Sequence, residues 1–249
     1  MADSPFDAVA GYYDVARPSY PDSLFEAIEK ITGPLAGQVV LDGCAGTGIA
    51  TRQLSARGAL VTGYDIGEAM LRRAIARSPE LPFVITNGNL LPFRDGRADL
   101  ACFAQSWHWL DQDLASREVA RVLRPGGHWA AWWNQSVPDG EDWHSAYQDA
   151  LEAACPRYAR EHANTDWCLE AIAGTGLFEP GMRLTVPWTR MVTVRDWITE
   201  QRSKSYVSVL APGEREFLLA RIARITGERF PDGQMTVPYA TGAWIARRR

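Results

Sequence analysis

One aliphatic segment that runs into a glycine-containing turn constrains this fold more than any other feature. Residues 39–41 are aliphatic, Asp42 follows them, and Gly46 and Gly48 lie in the next few positions. A helical pattern then begins at residue 49 and stops at Gly58. A strand that enters a helix through such a turn places backbone N–H groups and a helix N-terminus against a bound ligand. The segment therefore predicts a ligand site beyond the end of a strand.

Strand and helix patterns alternate from residue 38 to residue 135. We predict strands at 39–42, 60–64, 83–86, 100–104 and 129–133, and helices at 49–57, 68–77 and 114–123. Alternation of this kind indicates βαβ units, hence an α/β fold with a doubly wound, mostly parallel sheet.

The alternation of predicted strands and helices is less regular on either side of this region. We predict helices at 22–31, 141–154, 166–173, 195–210 and 213–230, and strands at 183–194 and 236–246. No repeat or low-complexity linker divides the chain. We therefore expect one domain over 1–249, with an N-terminal flap and helix (1–37), a cofactor-binding core (38–135) and a substrate-side region (136–249). The last of these includes a helical insertion before the final strand.

Bulk composition excludes several classes of function. The net charge of −4 argues against nucleic acid as the main partner. Four cysteines without C-x-x-C spacing indicate buried thiols rather than a zinc site or a disulfide framework, and we expect no metal. The N-terminus lacks a signal-peptide pattern and no apolar run reaches membrane-spanning length, so we predict a cytoplasmic protein with no membrane partner. The oligomeric state is left open.

The predicted second strand ends at Asp65, whose carboxylate can accept hydrogen bonds from both hydroxyls of a ribose. A dinucleotide and S-adenosylmethionine both fit that arrangement. The dinucleotide pattern needs a third glycine, and Thr51 occupies that position. Asp42, just before the turn, could receive a ligand ammonium group, which S-adenosylmethionine carries and a nicotinamide dinucleotide does not. Its alternative role is a structural cap for the helix.

Four segments, 40–48, 63–71, 88–93 and 118–127, resemble motifs of the class I S-adenosylmethionine-dependent methyltransferases. Two more segments, 13–21 and 104–111, resemble a narrower subgroup, the small-molecule methyltransferases related to trans-aconitate methyltransferase. The resemblance implies a Rossmann-like sheet of seven strands, the last of them antiparallel. Two positions depart from the family pattern: Cys44 replaces the first glycine of the turn, and Asn89 replaces an acid that contacts adenine. Cys44 fits the turn if its φ is negative.

The resemblance implies a cofactor site and an acceptor site. Asn89 would accept a hydrogen bond from the adenine amine, and Ile66 and Met70 would enclose the adenine unless they are ordinary helix packing. Arg17 would pair with a carboxylate of the cofactor or the acceptor, or else be a surface charge. The predicted cofactor contacts are Arg17, Asp42, Cys44, Gly46, Thr47, Gly48, Asp65, Ile66, Met70, Asn89, Leu90 and Gln105.

Two residues are candidates for catalysis. His108, between Trp107 and Trp109, titrates in the useful range, but it could instead stack between tryptophans and shape the pocket. Tyr13 of the flap is the other candidate. Tryptophans near the fourth and fifth strands suggest an aromatic acceptor pocket, or simply a tryptophan-rich core.

The sequence thus favours methyl transfer from S-adenosylmethionine to a small-molecule acceptor, and the resemblance implies oxygen as the favoured atom. The alternatives are carbon or nitrogen methylation of an aromatic natural product, a nicotinamide-dependent reductase, and a non-catalytic cofactor-binding protein.

Overall fold

The computed structural model describes residues 17–137, 142–156, 158 and 167–249. Within them a single sheet contains seven strands. The strands are β1 (Val39–Gly43), β2 (Leu60–Asp65), β3 (Phe83–Ile85), β4 (Ala98–Ala104), β5 (Leu123–Ser136), β6 (Met182–Thr193) and β7 (Gln234–Arg247).

The described helices flank this sheet or form the insertion before β7. They are α1 (Asp22–Thr32), α2 (Ile49–Ala56), α3 (Glu68–Arg77), α4 (Gln112–Val122), α5 (Asp142–Ala154), α6 (Trp167–Gly174), α7 (Val194–Arg202), α8 (Ser205–Ser208) and α9 (Pro212–Arg229). A short 3₁₀ helix, Trp107–Trp109, follows β4.

The strand order is β3-β2-β1-β4-β5-β7-β6. Strands β1 to β5 pair in parallel, whereas β7 runs antiparallel to both β5 and β6. The chain winds outward from β1 to β3, then returns to the other side of β1 as β4. Ligands of doubly wound sheets bind at this switch, beyond the carboxyl ends of the two central strands. The predicted α/β fold with an antiparallel last strand is confirmed.

Neighbouring residues of the central strands belong to two different cores. Val40 and Leu100 pack with α1 and α2 on one face, while Leu41 and Ala101 pack with α4 and α6 on the other. Side chains of successive strand residues point to opposite faces, so a strand covered on both sides is apolar throughout. This explains why the predicted strands are nearly continuous hydrophobic runs.

The insertion before β7 has a third core of its own, built from α5, α7, α9 and the adjoining parts of β6 and β7. The sequence predicted one helix over 195–210, but the structure divides it into α7 and α8. Ser203 caps the end of α7, and Lys204 begins the next helix. Lys204 lies at the break between the two helices. Among the described residues, no helix is both long and apolar enough to cross a membrane.

Candidate functional site

The turn after β1 has a left-handed backbone at three positions. The φ angles are 52° at Cys44, 57° at Gly46 and 79° at Gly48. Glycine adopts this region without steric cost, whereas a residue with a Cβ is strained there. The condition under which Cys44 would fit the turn without strain, a negative φ, is therefore not met. The backbone is left-handed at this position although the residue is cysteine and not the glycine of the family pattern.

The turn is held by the carboxylate of Asp65. Its Oδ2 accepts the Gly46 N–H at 2.8 Å, and its Oδ1 accepts the Gly67 N–H at 2.7 Å. One acid at the end of β2 thus orders both the turn after β1 and the start of α3. A carboxylate beside a glycine turn at the carboxyl ends of parallel strands is the arrangement that binds a ribose in this fold class.

Asp42 lies beneath the turn rather than in an open site. Its side chain is completely buried, and its Oδ2 accepts the Thr51 hydroxyl at 2.5 Å. Burial raises the pKa of this carboxyl from 3.8 to about 7, although the Thr51 and Cys102 hydrogen bonds oppose the shift. The position matches the structural alternative, in which Asp42 fastens the start of α2. Asp42, which was predicted to bind the ammonium group of the cofactor, is therefore not in contact with solvent.

A cavity of about 540 Å³, its open mouth included, lies beyond the ends of β1 and β4. The lining includes five of the predicted cofactor residues: Arg17, Cys44, Gly46, Thr47 and Gln105. Of the other predicted cofactor residues, Gly48 is buried at the start of α2, outside this lining.

Gln105 shares the strained geometry of Cys44. Its φ is 62°, and in the described residues these two are the non-glycine positions with positive φ. Both line the cavity, one after β1 and the other after β4. The Gln105 N–H donates to the Trp132 carbonyl at 2.8 Å, which fixes the turn against β5. Backbone strain of this kind clusters at ligand sites, where the surrounding structure maintains it.

The residues predicted to surround an adenine lie beyond the cavity lining. Met70 is buried, and its methyl group would be 3.7 Å from a Cβ placed on Gly46. Ile66 is 46% exposed and Leu90 is 72% exposed. Asn89 uses its side-chain oxygen to accept the Asp111 N–H at 3.1 Å. The predicted acceptor for the adenine amine is therefore already engaged in ordering the start of α4, and these adenine contacts stay predictions.

His108 is exposed on the 3₁₀ helix after β4 and does not line the cavity. Its ring lies tilted against Trp109 and Trp133, with centroid distances of 4.8 Å and 6.2 Å. This geometry matches the stacking alternative rather than a base beside the reacting atom. Tyr13, the other catalytic candidate, lies outside the described residues.

The predicted aromatic acceptor pocket is replaced by a tryptophan-rich core. Trp107, Trp129 and Trp132 are completely buried, and Trp133 and Trp143 nearly so. The described lining of the cavity contains tyrosine rings but no indole. These five tryptophans belong to the cores of the sheet and of the insertion, whereas Trp109 is 48% exposed, and none of the six lines the cavity.

The opposite wall of the cavity comes from residues that sequence reasoning did not select. These are Asn134 from β5, Glu200 from α7, Lys204 from the break between α7 and α8, and Tyr239 from β7. In the sequence, Glu200 and Lys204 form an i,i+4 pair of opposite charge, which usually indicates a solvated helix face. No local signal would have separated them from such a pair.

Glu200 is completely buried and forms ion pairs with two cations. Lys204 Nζ lies 2.9 Å from Glu200 Oε1, and Arg190 pairs with Oε2. Burial acts to raise the pKa of the Glu200 carboxyl, but Lys204, Arg190 and Arg17 together hold it below the ordinary value. The carboxylate is thus kept ionised by its neighbours despite the absence of solvent.

The segment containing Arg17 closes one side of the cavity. The Arg17 guanidinium donates to the Ser203 hydroxyl and carbonyl, both at 3.0 Å. Two other side chains fasten the segment to the sheet layer. Gln53 exchanges hydrogen bonds with the Tyr20 backbone at 2.7 and 3.0 Å, and Asn134 donates to the Ser19 carbonyl at 3.2 Å. Arg17 is therefore a fixed part of the cavity rather than a solvated charge.

No group of three or more His, Cys, Asp or Glu side chains in the described ranges could hold a metal ion. The fold, the left-handed turn and the acid at the end of β2 together define a nucleoside-binding protein of the doubly wound α/β class.

Comparison with known proteins identifies the family within that class. The sequence profile of a family described as a methyltransferase domain matches residues 41–131. The chain is 34% identical over 160 residues to a demethylmenaquinone methyltransferase of Corynebacterium kroppenstedtii, covering 62% of this chain and 69% of that protein. It is 40% identical over 129 residues to an uncharacterised methyltransferase of Mycobacterium tuberculosis. That match covers 52% of this chain and 51% of the relative, so the chain spans about half the length of that relative.

Solved structures agree on the fold. A protein from Anaeromyxobacter dehalogenans, assigned as a type II methyltransferase, superposes with a TM-score of 0.68 at 22% identity, covering 94% of this chain and 97% of that chain. Phosphoethanolamine N-methyltransferase 2 of Haemonchus contortus gives 0.56 at 17% identity, over 97% of this chain and 57% of that chain. The chain belongs to the class I S-adenosylmethionine-dependent methyltransferases.

Proposed function

We propose that this protein transfers the methyl group of S-adenosylmethionine to a small-molecule acceptor, with oxygen as the favoured acceptor atom. The observation that carries the proposal is the cavity between the left-handed turn and the wall formed by Asn134, Lys204 and Tyr239. It joins the glycine turn to a partly enclosed space that contains charged and polar side chains, as a two-substrate reaction requires. Four cysteines with no disulfide among them agree with a reducing cytoplasm.

The residues present fit an adenosyl group with a methionine tail. A Cβ at Gly48 would meet the Phe83 ring at 3.1 Å and Ala74 at 3.3 Å, so this close turn requires glycine. Asp65 stands beside the turn as the ribose acceptor, and Gly46, Thr47 and Gln105 would border the methionine tail. Ile66, Met70, Asn89 and Leu90 would surround the adenine, and Arg17 would reach a carboxylate at the mouth of the cavity.

When bound, S-adenosylmethionine supplies a methyl group that is already activated by the positive charge on its sulfur. The task of the chain is therefore to align the acceptor with the sulfur–methyl bond and to exclude water. As the oxygen–carbon bond forms, the sulfur–carbon bond breaks and its electron pair stays on sulfur. A carboxylate acceptor needs no base. A hydroxyl acceptor must lose a proton, for which Tyr13 is the preferred candidate, because His108 does not line the cavity.

The subgroup related to trans-aconitate methyltransferase remains the finer proposal. Part of its N-terminal motif lies in the structure at the site, because Arg17, Pro18 and Tyr20 all line the cavity. The second candidate is methylation of a demethylmenaquinone-like acceptor, supported by the name of the Corynebacterium relative. The reductase alternative is weakened by Thr51, whose hydroxyl is used to bind Asp42.

A binding and turnover experiment tests the proposal. The protein is titrated with S-adenosylhomocysteine and with NADH in separate calorimeter runs, and acceptors are then screened for S-adenosylhomocysteine release. Mass spectrometry and mild alkaline hydrolysis of each product distinguish a methyl ester from an ether, amine or carbon product. We expect S-adenosylhomocysteine binding and an oxygen-methylated product. Binding of NADH alone would replace the proposal with the reductase, and binding of neither would favour a non-catalytic role.

A further inference from the structure

One face of β5 and β7 changes from apolar to polar where it reaches the cavity. Asn134 on β5 pairs directly with Thr241 on β7, and Tyr239 lies two residues from Thr241. Side chains alternate between the faces of a strand, so all three lie on one face and Asn134 and Tyr239 are diagonal neighbours. Asn134 and Tyr239 are buried and both line the cavity. Two polar side chains thus lie next to each other on the opposite wall.

The amide of Asn134 is held in one orientation by its partners. The Trp188 indole N–H donates to the Thr241 hydroxyl at 2.9 Å, and Thr241 donates to Asn134 Oδ1 at 2.6 Å. An indole can only donate, so Thr241 must use its own proton on the amide, and the amide must present its oxygen there. The amide nitrogen then donates one N–H to the Ser19 carbonyl at 3.2 Å. In the part of the chain that the structure describes, the second N–H has no acceptor.

The hydroxyl of Tyr239 is a second donor at this wall. Its oxygen accepts from Arg190 at 3.5 Å, and no residue within the described ranges accepts its proton. The ring is 3% exposed and packs on Trp188, with centroids 4.8 Å apart. Burial, followed by the charge of Glu200, raises the pKa of Tyr239 above its ordinary value, so the phenol keeps its proton at neutral pH. Tyr239 is therefore a hydrogen-bond donor rather than a base.

The two donors lie on the side of the cavity that is left for the acceptor. Both residues are outside 41–131, the range that matches the methyltransferase profile, and the glycine turn forms the other wall. A buried donor without an acceptor costs free energy unless water or a ligand oxygen accepts from it. Both donors are neutral, so the group that they recognise needs lone pairs rather than a charge. A carbonyl oxygen has two lone pairs and can accept from both.

We propose that the Tyr239 hydroxyl and the Asn134 amide bind a neutral carbonyl oxygen of the methyl acceptor. This inference rests on the proposed function, since it assumes that the acceptor occupies the cavity beside the cofactor. The methionine tail of the cofactor also carries oxygen atoms that could accept these hydrogen bonds, and the experiment separates the two sources.

The probes are two pairs of hydroxyl compounds that differ in a carbonyl group. One pair is para-hydroxyacetophenone and para-ethylphenol, and the other is hydroxyacetone and n-propanol. The member without the carbonyl is the more apolar of each pair, so the hydrophobic effect alone would favour it. The Kd of each probe is measured by ligand-observed NMR, with and without saturating S-adenosylhomocysteine. S-adenosylhomocysteine is titrated separately by calorimetry.

Three variants accompany the wild type. Tyr239→Phe removes the hydroxyl and keeps the ring that packs on Trp188. Asn134→Asp keeps an oxygen for Thr241 and removes both amide N–H groups. Tyr147→Phe is the matched control, because the Tyr147 hydroxyl is also buried but donates to Gln201 at 2.7 Å and does not line the cavity.

In the wild type we expect at least one ketone to bind about tenfold more tightly than its partner, because the partner leaves both donors without an acceptor. Tyr239→Phe and Asn134→Asp should each lower this preference roughly threefold or more, without changing the affinity for S-adenosylhomocysteine. Tyr147→Phe should leave the preference intact.

The inference is overturned if neither ketone is preferred in the wild type, or if Tyr239→Phe or Asn134→Asp retains the full preference. It is also overturned if Tyr239→Phe weakens only S-adenosylhomocysteine, because the oxygen is then that of the cofactor. The wild-type ratio still decides the question if a variant fails to fold, which circular dichroism would reveal. Failure of the proposed function has a different outcome: if S-adenosylhomocysteine does not bind to the wild type, the methyltransferase proposal fails whatever the ketones do.

Discussion

Replacing Glu200 with glutamine tests whether the buried ion cluster supports the fold as well as the cavity. The substitution keeps the size of the side chain and leaves Arg190 and Lys204 without their shared carboxylate. Removing one partner from a buried pair typically destabilises by about 3–5 kcal/mol, because the remaining charge has lost its compensation. Lys204 can draw water from the cavity that it lines, so we expect the lower end, about 3 kcal/mol. At about 2–4 °C per kcal/mol for a chain of this size, Tm should fall by roughly 6–12 °C.

The dependence on pH provides a second check of the same reasoning. The folded-state pKa of Glu200 is below its ordinary value of 4.5, so its contribution is fully present above that value. It is lost as the pH falls through the folded-state pKa, because a protonated Glu200 is neutral like glutamine. The difference in Tm between wild type and variant should therefore be constant near neutrality and should shrink in acid.

Scanning calorimetry at a series of pH values measures both effects. Glu216→Gln is the control, because Glu216 is an exposed acid that pairs with Arg202, and exposed pairs contribute little. If Glu200→Gln lowers Tm no more than Glu216→Gln at neutral pH, Glu200 is not the compensating charge that the geometry indicates. A difference that persists unchanged in acid would point instead to altered packing.

Three further variants test the turn and the catalytic candidate. Asp65→Asn should raise the Kd for S-adenosylhomocysteine about 10- to 100-fold through lost charge-assisted hydrogen bonds. Asp99→Asn is the control, because Asp99 accepts the Val39 N–H at the opposite end of the sheet, and it should leave that Kd unchanged. If Asp65→Asn and Asp99→Asn change the Kd equally, the assignment of Asp65 to the ribose site is contradicted. In denaturant titrations, Gly48→Ala should lower the free energy of unfolding by about 1–2 kcal/mol because of the left-handed backbone alone. Gly227→Ala, within α9 and without close neighbours, should instead raise it by about 0.5–1 kcal/mol. His108→Ala should keep kcat and its pH profile, because the imidazole lies outside the cavity lining, and a lost limb of that profile would restore histidine as the base.

Local sequence patterns were sufficient for the first half of the fold. The segment 38–135 alternates short apolar runs with amphipathic ones, and each run predicts its own element from neighbours only a few residues away. The position of Asp65 beside the turn also followed from the sequence, because the ends of adjacent parallel strands must meet at one edge.

The tertiary structure decided the opposite wall. Lys204 and Glu200 resemble an ordinary solvated pair in the sequence, and only the break between α7 and α8 and the packing of the insertion against β7 bring them to the cavity. Similarly, nothing local distinguished a tryptophan core from a tryptophan-lined pocket, since both place the same residues near the same strands. Periodicity specifies which face of an element is buried, but contacts between residues far apart in the chain determine which buried surfaces enclose a ligand.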